Sequence, residues 1–187
     1  MPPYPTALLS DAAGQRVVLP SAIGPLWPQA LLAGPAFTVR VKPGELRAVL
    51  EAALGAAAGD VVVVDGGGET EWALWGDILA RVALARGLAG LVVDGAVRDA
   101  GEIERLGFPV FARAVTPSGP RDKERPGEHG VALTLGDVPI EPGDLVYGDR
   151  DGVVVIPQAR HADVLAAAAV REAAETELLQ SLLSEGR

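Results

Sequence analysis

Apolar residues along this chain recur with two different periods. Val61-Val62-Val63-Val64 and Leu91-Val92-Val93 are short runs apolar on both faces, as central strands covered on each side are. Phe37 to Val41 alternates as a half-buried strand does, and Phe108 to Arg113 reads as another strand. Between these runs the spacing becomes helical. Pro43-Gly44 starts a predicted helix through about Ala57, with Leu46, Val49, Leu50, Ala53 and Leu54 on one side. After Asp65-Gly66-Gly67-Gly68 breaks the strand, Leu74, Ile78, Val82 and Ala85 predict a helix from Trp72 to Arg86, with Gly87 as its stop. A short helix is predicted over Asp99 to Leu106, and another over residues 5–13, ending at Gly14. Residues 20–35 read as Pro/Gly-rich loop. Residues 116–130 form a polar loop, long for a compact domain. Val131 to Leu135, Val138 to Ile140, Leu145 to Gly148 and Val153 to Ile156 are short strands with tight turns, expected to form a compact β layer. From Gln158 the chain becomes rich in Ala and Glu and predicts a helix over about 158–183.

Strands alternating with helices make this an α/β chain. Neither an internal repeat nor a dividing linker is visible, so residues 1–187 are expected to form one domain. Of its residues 49% are hydrophobic, chiefly Ala, Val and Leu, which suits tight helix–sheet interfaces. The net charge of −9, from 25 acids and 16 bases, argues against a nucleic-acid partner, because such binding neutralises phosphates with Lys and Arg. There is no cysteine, which removes disulfides, thiolate metal sites and thiol nucleophiles together. No signal peptide and no apolar run of membrane-spanning length is evident, so a cytoplasmic protein without a membrane partner is expected.

The chemistry concentrates in two segments. In Asp94-Gly95-Ala96-Val97-Arg98-Asp99 the chain leaves a strand, is expected to turn at Gly95, and sets a guanidinium beside a carboxylate. Arg98 can grip a carboxylate bidentately, and Asp99 can hold a divalent metal through oxygen. On spacing alone, Asp99 reads equally as the N-cap of the following helix. Twenty residues separate Arg98 from Asp77, in Trp75-Gly76-Asp77-Ile78-Leu79. The intervening helix and strand allow both segments to return to one edge of a sheet. Asp77 alone reads as a first-turn acid complementing a helix dipole. A helix break near Gly76 would free amides for anion binding, whereas an uninterrupted helix from Trp72 would leave none. Gly66, Gly67 and Gly68 read either as a close-approach loop or as an ordinary turn. His129 and His161 have no partner at metal-ligand spacing, and His161 is expected to be exposed. Lys123 reads as an exposed lysine rather than a Schiff-base nucleophile. Glu172, Glu175 and Glu177 read as a solvated helix face.

Trp75-Gly76-Asp77-Ile78-Leu79-Ala80, Gly90 to Asp99 and Gly143 to Pro157 together resemble the RraA-like family, over about Ser10 to Pro157. The pattern Asp77, twenty residues, Arg98-Asp99 resembles its branch of class II 4-hydroxy-4-methyl-2-oxoglutarate/4-carboxy-4-hydroxy-2-oxoadipate aldolases. The resemblance implies a three-layer α/β/β sandwich of the swivelling-domain kind with a C-terminal helix. It also implies a homotrimer, sometimes paired into a hexamer, with sites between subunits. Arg98 would take the pyruvyl carboxylate of a 2-keto acid substrate together with the backbone of Gly76, Asp77, Ile78 and Leu79. Asp99 would hold Mg²⁺ or Mn²⁺, and Asp77 would stand near the metal's water.

The expected activity is then retro-aldol cleavage of a 4-hydroxy-2-keto dicarboxylic acid to pyruvate, with oxaloacetate decarboxylation as a side activity. Two alternatives stand beside it. One is decarboxylation of another 2-keto acid. The other is protein inhibition of ribonuclease E without catalysis, the role of RraA-like relatives that lack the Asp77 and Asp99 pattern.

Overall fold

The computed structural model describes residues 3–14 and 16–185. Helix α1 (Thr6–Ala13) is followed by β1 (Gly24–Pro25), β2 (Leu32–Arg40), α2 (Arg47–Gly55), β3 (Val61–Ala73), α3 (Asp77–Ala85), β4 (Gly90–Val97), α4 (Ala100–Leu106) and β5 (Val110–Val115). The short strands β6 (Glu128–His129), β7 (Leu133–Leu135), β8 (Val138–Ile140), β9 (Leu145–Asp149) and β10 (Gly152–Ile156) come next. A 3₁₀ turn at Gln158–Arg160 leads into α5 (His161–Glu185).

One large mixed sheet has the order β1-β5-β4-β3-β2-β9-β10. Strands β2 to β5 are parallel sequential neighbours; β1 and β9 pair antiparallel at the two sides of that block. The outer edge of β2 is shared, its first half taken by β9 and its last residues by β6. Because the parallel strands follow in chain order, crossovers of one hand put α2, α3 and α4 on the same face.

Strand alternation separates two cores. Val62, Val64, Leu91 and Val93 face the helices, where Ala48, Ala52, Ala53, Ala80 and Ala83 are fully buried. These small side chains let helix and sheet approach closely. Val61, Val63, Val92 and Phe111 face the other way, onto the β7–β8 hairpin and the inner residues of β9 and β10. Tyr147, Val154 and Ile156 point outward from β9 and β10 and are covered by α1 and the first turns of α5. The expected α/β/β layering and C-terminal helix are therefore present. At the C-terminal ends of the parallel strands Asp65 pairs with Arg40 at 3.6 Å, and buried Asp94 pairs with Arg113.

Several local expectations are corrected. Residues 20–35 are not all loop, since they contain β1 and the start of β2. Strand β3 does not stop at the glycines but continues to Ala73, absorbing them through register shifts. Strand β4 runs straight through Gly95, and the chain turns only after Val97. Helix α2 starts at Arg47, because residues 44–46 bond instead to the 116–130 loop. Its buried face is Ala48, Val49, Ala52 and Ala53, while Leu50 and Leu54 are exposed. From Ala169 to Ser184, α5 is exposed throughout, Glu172, Glu175 and Glu177 included. No helix among the described residues is long and apolar enough to cross a membrane.

Candidate active site

The region between β3 and α3 settles how Asp77 meets Arg98. Residues 74–76 are not the first turn of a helix. Leu74 N donates to Ala96 O at 2.9 Å, and Arg98 N donates to Trp75 O at 2.9 Å. This segment therefore lies along the end of β4, and α3 begins only at Asp77, with extended Gly76 as its N-cap. The predicted helix start at Trp72 is thus corrected, and the alternative with a break near Gly76 holds. The first helical bond in this turn runs from Ala80 N to Gly76 O, 3.1 Å. Among the described residues, the Ile78 and Leu79 amides have no hydrogen-bond acceptor, as expected of the first turn of a helix.

The sequence at Arg98-Asp99 adopts an unusual local shape. Asp99 has φ 57° and ψ 36°, the left-handed region, and is the one non-glycine residue with positive φ among those described. Aspartate visits that region at modest cost, and such strain gathers at functional sites. Asp99 stands at the N-cap of α4, yet its side chain makes no capping bond there. The carboxylate turns instead to α3: its Oδ2 accepts from Asp77 N at 3.2 Å and lies 3.4 Å from Arg98 Nε. Both side chains of that ion pair are more than a third exposed, so the pair itself adds little stability.

Gly76 makes this approach possible. Its φ of −154° is open to any residue, so the constraint is space. A Cβ there would lie 2.6 Å from Asp99 Oδ2 and 3.2 Å from Arg98 Nε.

A cleft of about 200 Å³ opens beside these groups. Gly76, Ile78, Leu79 and Arg98 line it, together with Trp75, Leu46, Leu50, Pro120 and Lys123. Asp77 and Asp99 do not line it; they adjoin Gly76 and Arg98, which do. Asp77 places Oδ2 3.4 Å from Arg81 Nε, and Arg81 also pairs with Glu102 of α4. The Arg105 hydrogen bond, aided by the charges of Arg105 and Arg81 against a desolvation effect, holds the Glu102 carboxyl below the usual glutamate range. Arg81 and Glu102 escaped the sequence reading. Only the i,i+4 spacing of Asp77 and Arg81 could have signalled one of them.

Other candidates lie elsewhere. Gly66, Gly67 and Gly68 are outside the cleft, where a Cβ on Gly66 would meet Asp94 O and Leu74 at 2.8 Å. His129 Nε2 sits 2.8 Å from Ala48 O on the β6 edge. His161 is not free on the surface as expected: it stacks on Tyr147 and lies 2.6 Å from its hydroxyl. Lys123 is exposed as predicted, but it faces the cleft.

Comparison with known proteins places the chain in a family. A protein of Halalkalibacterium halodurans, provisionally named 4-hydroxy-4-methyl-2-oxoglutarate aldolase, is 42% identical over 169 residues, 90% of this chain and 80% of that protein. An uncharacterised protein from Pseudomonas syringae pv. tomato has a crystal structure that matches with a TM-score of 0.86 at 31% identity, over 96% of this chain and 84% of that one. The RNA-processing inhibitor RraA of Thermus thermophilus matches with a TM-score of 0.75 at 36% identity, over 84% of this chain and 94% of that one. The RraA-like family model, described as Aldolase/RraA, matches residues 6–155. The chain therefore belongs to the RraA-like family.

Proposed function

We propose that this protein is a divalent-metal-dependent lyase. It cleaves 4-hydroxy-2-keto dicarboxylic acids of the 4-hydroxy-4-methyl-2-oxoglutarate type to pyruvate, and decarboxylates oxaloacetate as a side activity. One observation carries the reading: Asp99, the Asp77 amide and Arg98 converge at the start of α3, beside a small cleft.

The donor set suits a hard cation. No group of three or more His, Cys, Asp or Glu among the described residues forms a metal cage. Mg²⁺ and Mn²⁺ need none, since they keep water and substrate oxygens around one or two carboxylates. Asp99, turned away from its own helix, is the residue that would hold such an ion. The ion would supply positive charge at the keto oxygen as electrons arrive there.

The chain's own groups do the rest. Arg98 and the free amides of Ile78 and Leu79 hold the C1 carboxylate. Asp77, through a water, receives the C4 hydroxyl proton. The C3–C4 bond breaks, C4 becomes a carbonyl, and the electron pair passes into the pyruvate enolate. Protonation at C3 then gives pyruvate. With oxaloacetate the same bond releases CO₂ and the same enolate forms.

Exposed Leu50 and Ile78 line the cleft and support assembly of subunits over it, as a trimer or hexamer. Similarity to the Thermus inhibitor supports a second reading, a protein that binds ribonuclease E. Pyruvate release from 4-hydroxy-4-methyl-2-oxoglutarate, with Mg²⁺ and then with EDTA, separates the two. EDTA-sensitive release supports the lyase; no release, with capture of the ribonuclease in a pull-down, supports the inhibitor.

A further inference from the structure

The cleft has a cation on two of its walls. Arg98 comes from the end of β4, and Lys123 comes from the 116–130 loop. Between them the lining is mainly apolar, with Leu46, Leu50, Ile78, Leu79 and Pro120. We infer that Lys123 reads the distal carboxylate of the substrate, and so makes this site select keto acids with a second acidic end. The inference rests on the proposed keto-acid site and names the residue that sets its substrate class.

The loop that carries Lys123 is built, not loose. Arg121 N and Asp122 N both donate to Gly44 O, at 2.9 and 3.0 Å, and Leu46 N donates back to Asp122 O at 2.8 Å. The Asp122 carboxylate accepts from the amides of Glu124 and Arg125, at 2.9 and 3.1 Å, closing a turn around Lys123. These two bonds hold the Asp122 carboxyl below its ordinary range. Arg121 lies over the Trp72 ring, 5.6 Å from its centroid, and Arg125 reaches buried Glu45 at 3.4 Å. Gly44, with φ 77°, allows this closeness, since a Cβ there would meet Arg121 Cβ at 2.7 Å.

Arg125, Glu45 and Asp122 are thus engaged with one another, while no hydrogen bond or ion pair among the described residues uses the Lys123 ammonium. An exposed, unpaired cation at the wall of a mostly apolar cleft adds little to stability and is free to meet an anion. With Arg98 on the C1 carboxylate, Lys123 is the group left for the other end of a short diacid. Lysine suits that task, because its flexible point charge can follow distal groups of different length.

Calorimetric titration in Mg²⁺ with two unreactive ligands of equal chain length, 2-oxoglutarate and 2-oxopentanoate, tests this. Wild type is expected to bind the diacid about tenfold more tightly, the size of one charge-assisted hydrogen bond. Lys123→Met should bring the diacid down to the monoacid without changing the monoacid, and Lys123→Arg should restore most of the difference. A diacid preference that survives Lys123→Met overturns the inference. So does an equal loss for both ligands, or the absence of any preference in wild type. If wild type binds neither ligand at millimolar concentration, the keto-acid site itself falls, and the inference with it.

Discussion

Asp77 donates its backbone N–H to the carboxylate of Asp99 across 3.2 Å, although the two stand 22 positions apart in the chain. The bond joins the start of one helix to the start of the next. It aims the Asp99 oxygen at a helix N-terminus, where a negative charge is favoured. Both residues owe their positions to the segment 74–76, which runs along β4 and delays the helix until Asp77.

Gly76→Ala should disable the site while sparing the fold. The new Cβ would press on the ends of two flexible side chains, Asp99 and Arg98, and not on backbone. A displacement of that size is expected to lower kcat/KM for pyruvate release by about 100-fold. The circular dichroism spectrum and unfolding midpoint should stay near wild type, and a fully active variant would contradict the assigned geometry.

Asp99 matters to function more than to stability. Asp99→Gly relieves a left-handed aspartate but loses the bond to the Asp77 amide, so the unfolding free energy in urea titrations should stay within about 1 kcal/mol of wild type. Asp99→Asn keeps the conformation and removes only the charge. Both should lose metal-stimulated turnover.

Trp75 and Phe108 stack with centroids 5.8 Å apart beneath the start of α3, and both are buried. Phe108→Ala should destabilise the protein by about 3–5 kcal/mol in denaturant unfolding. An effect below about 1 kcal/mol would mean that this side of the core is not packed as described.

Burial raises the Tyr147 pKa above its ordinary 10.0. The folded state therefore favours the protonated phenol, and that contribution is complete below pH 10.0. It is lost as pH rises through the higher folded-state value, where the unfolded chain releases the proton first. Tyr147→Phe should flatten this alkaline decline in unfolding free energy. At neutral pH it should cost about 1 kcal/mol, through loss of the bond to His161.

The sequence made the central strands and the meeting of Asp77 with Arg98 and Asp99 readable, because a valine run between helical stretches leaves few alternatives. The helix phase was harder. Leu74, Ile78, Val82 and Ala85 have helical spacing, yet Leu74 lies before the helix and Ile78 is 67% exposed. The buried stripe is Leu79, Ala80 and Ala83, shifted by one residue and built partly from alanines that a hydrophobicity pattern underweights. Leu50 and Leu54 misled in the same way on α2, where alanines fill the core and leucines face the cleft side or solvent. The anchoring of Lys123 depends on backbone bonds to Gly44 and Leu46, which no side-chain pattern encodes. The link from Tyr147 to His161 joins a strand to a helix through a contact that spacing does not signal.

Exchange of the pyruvate C3 protons in D₂O, followed by proton NMR, tests the central claim most directly, because it reads enolate formation without knowledge of the natural substrate. Wild type with Mg²⁺ is expected to exchange these protons, EDTA to stop it, and Arg98→Ala and Asp99→Asn each to abolish it. Absence of exchange in wild type at saturating pyruvate and Mg²⁺, or exchange that survives both substitutions, would contradict the assignment of Arg98 and Asp99 as the enolate-forming site.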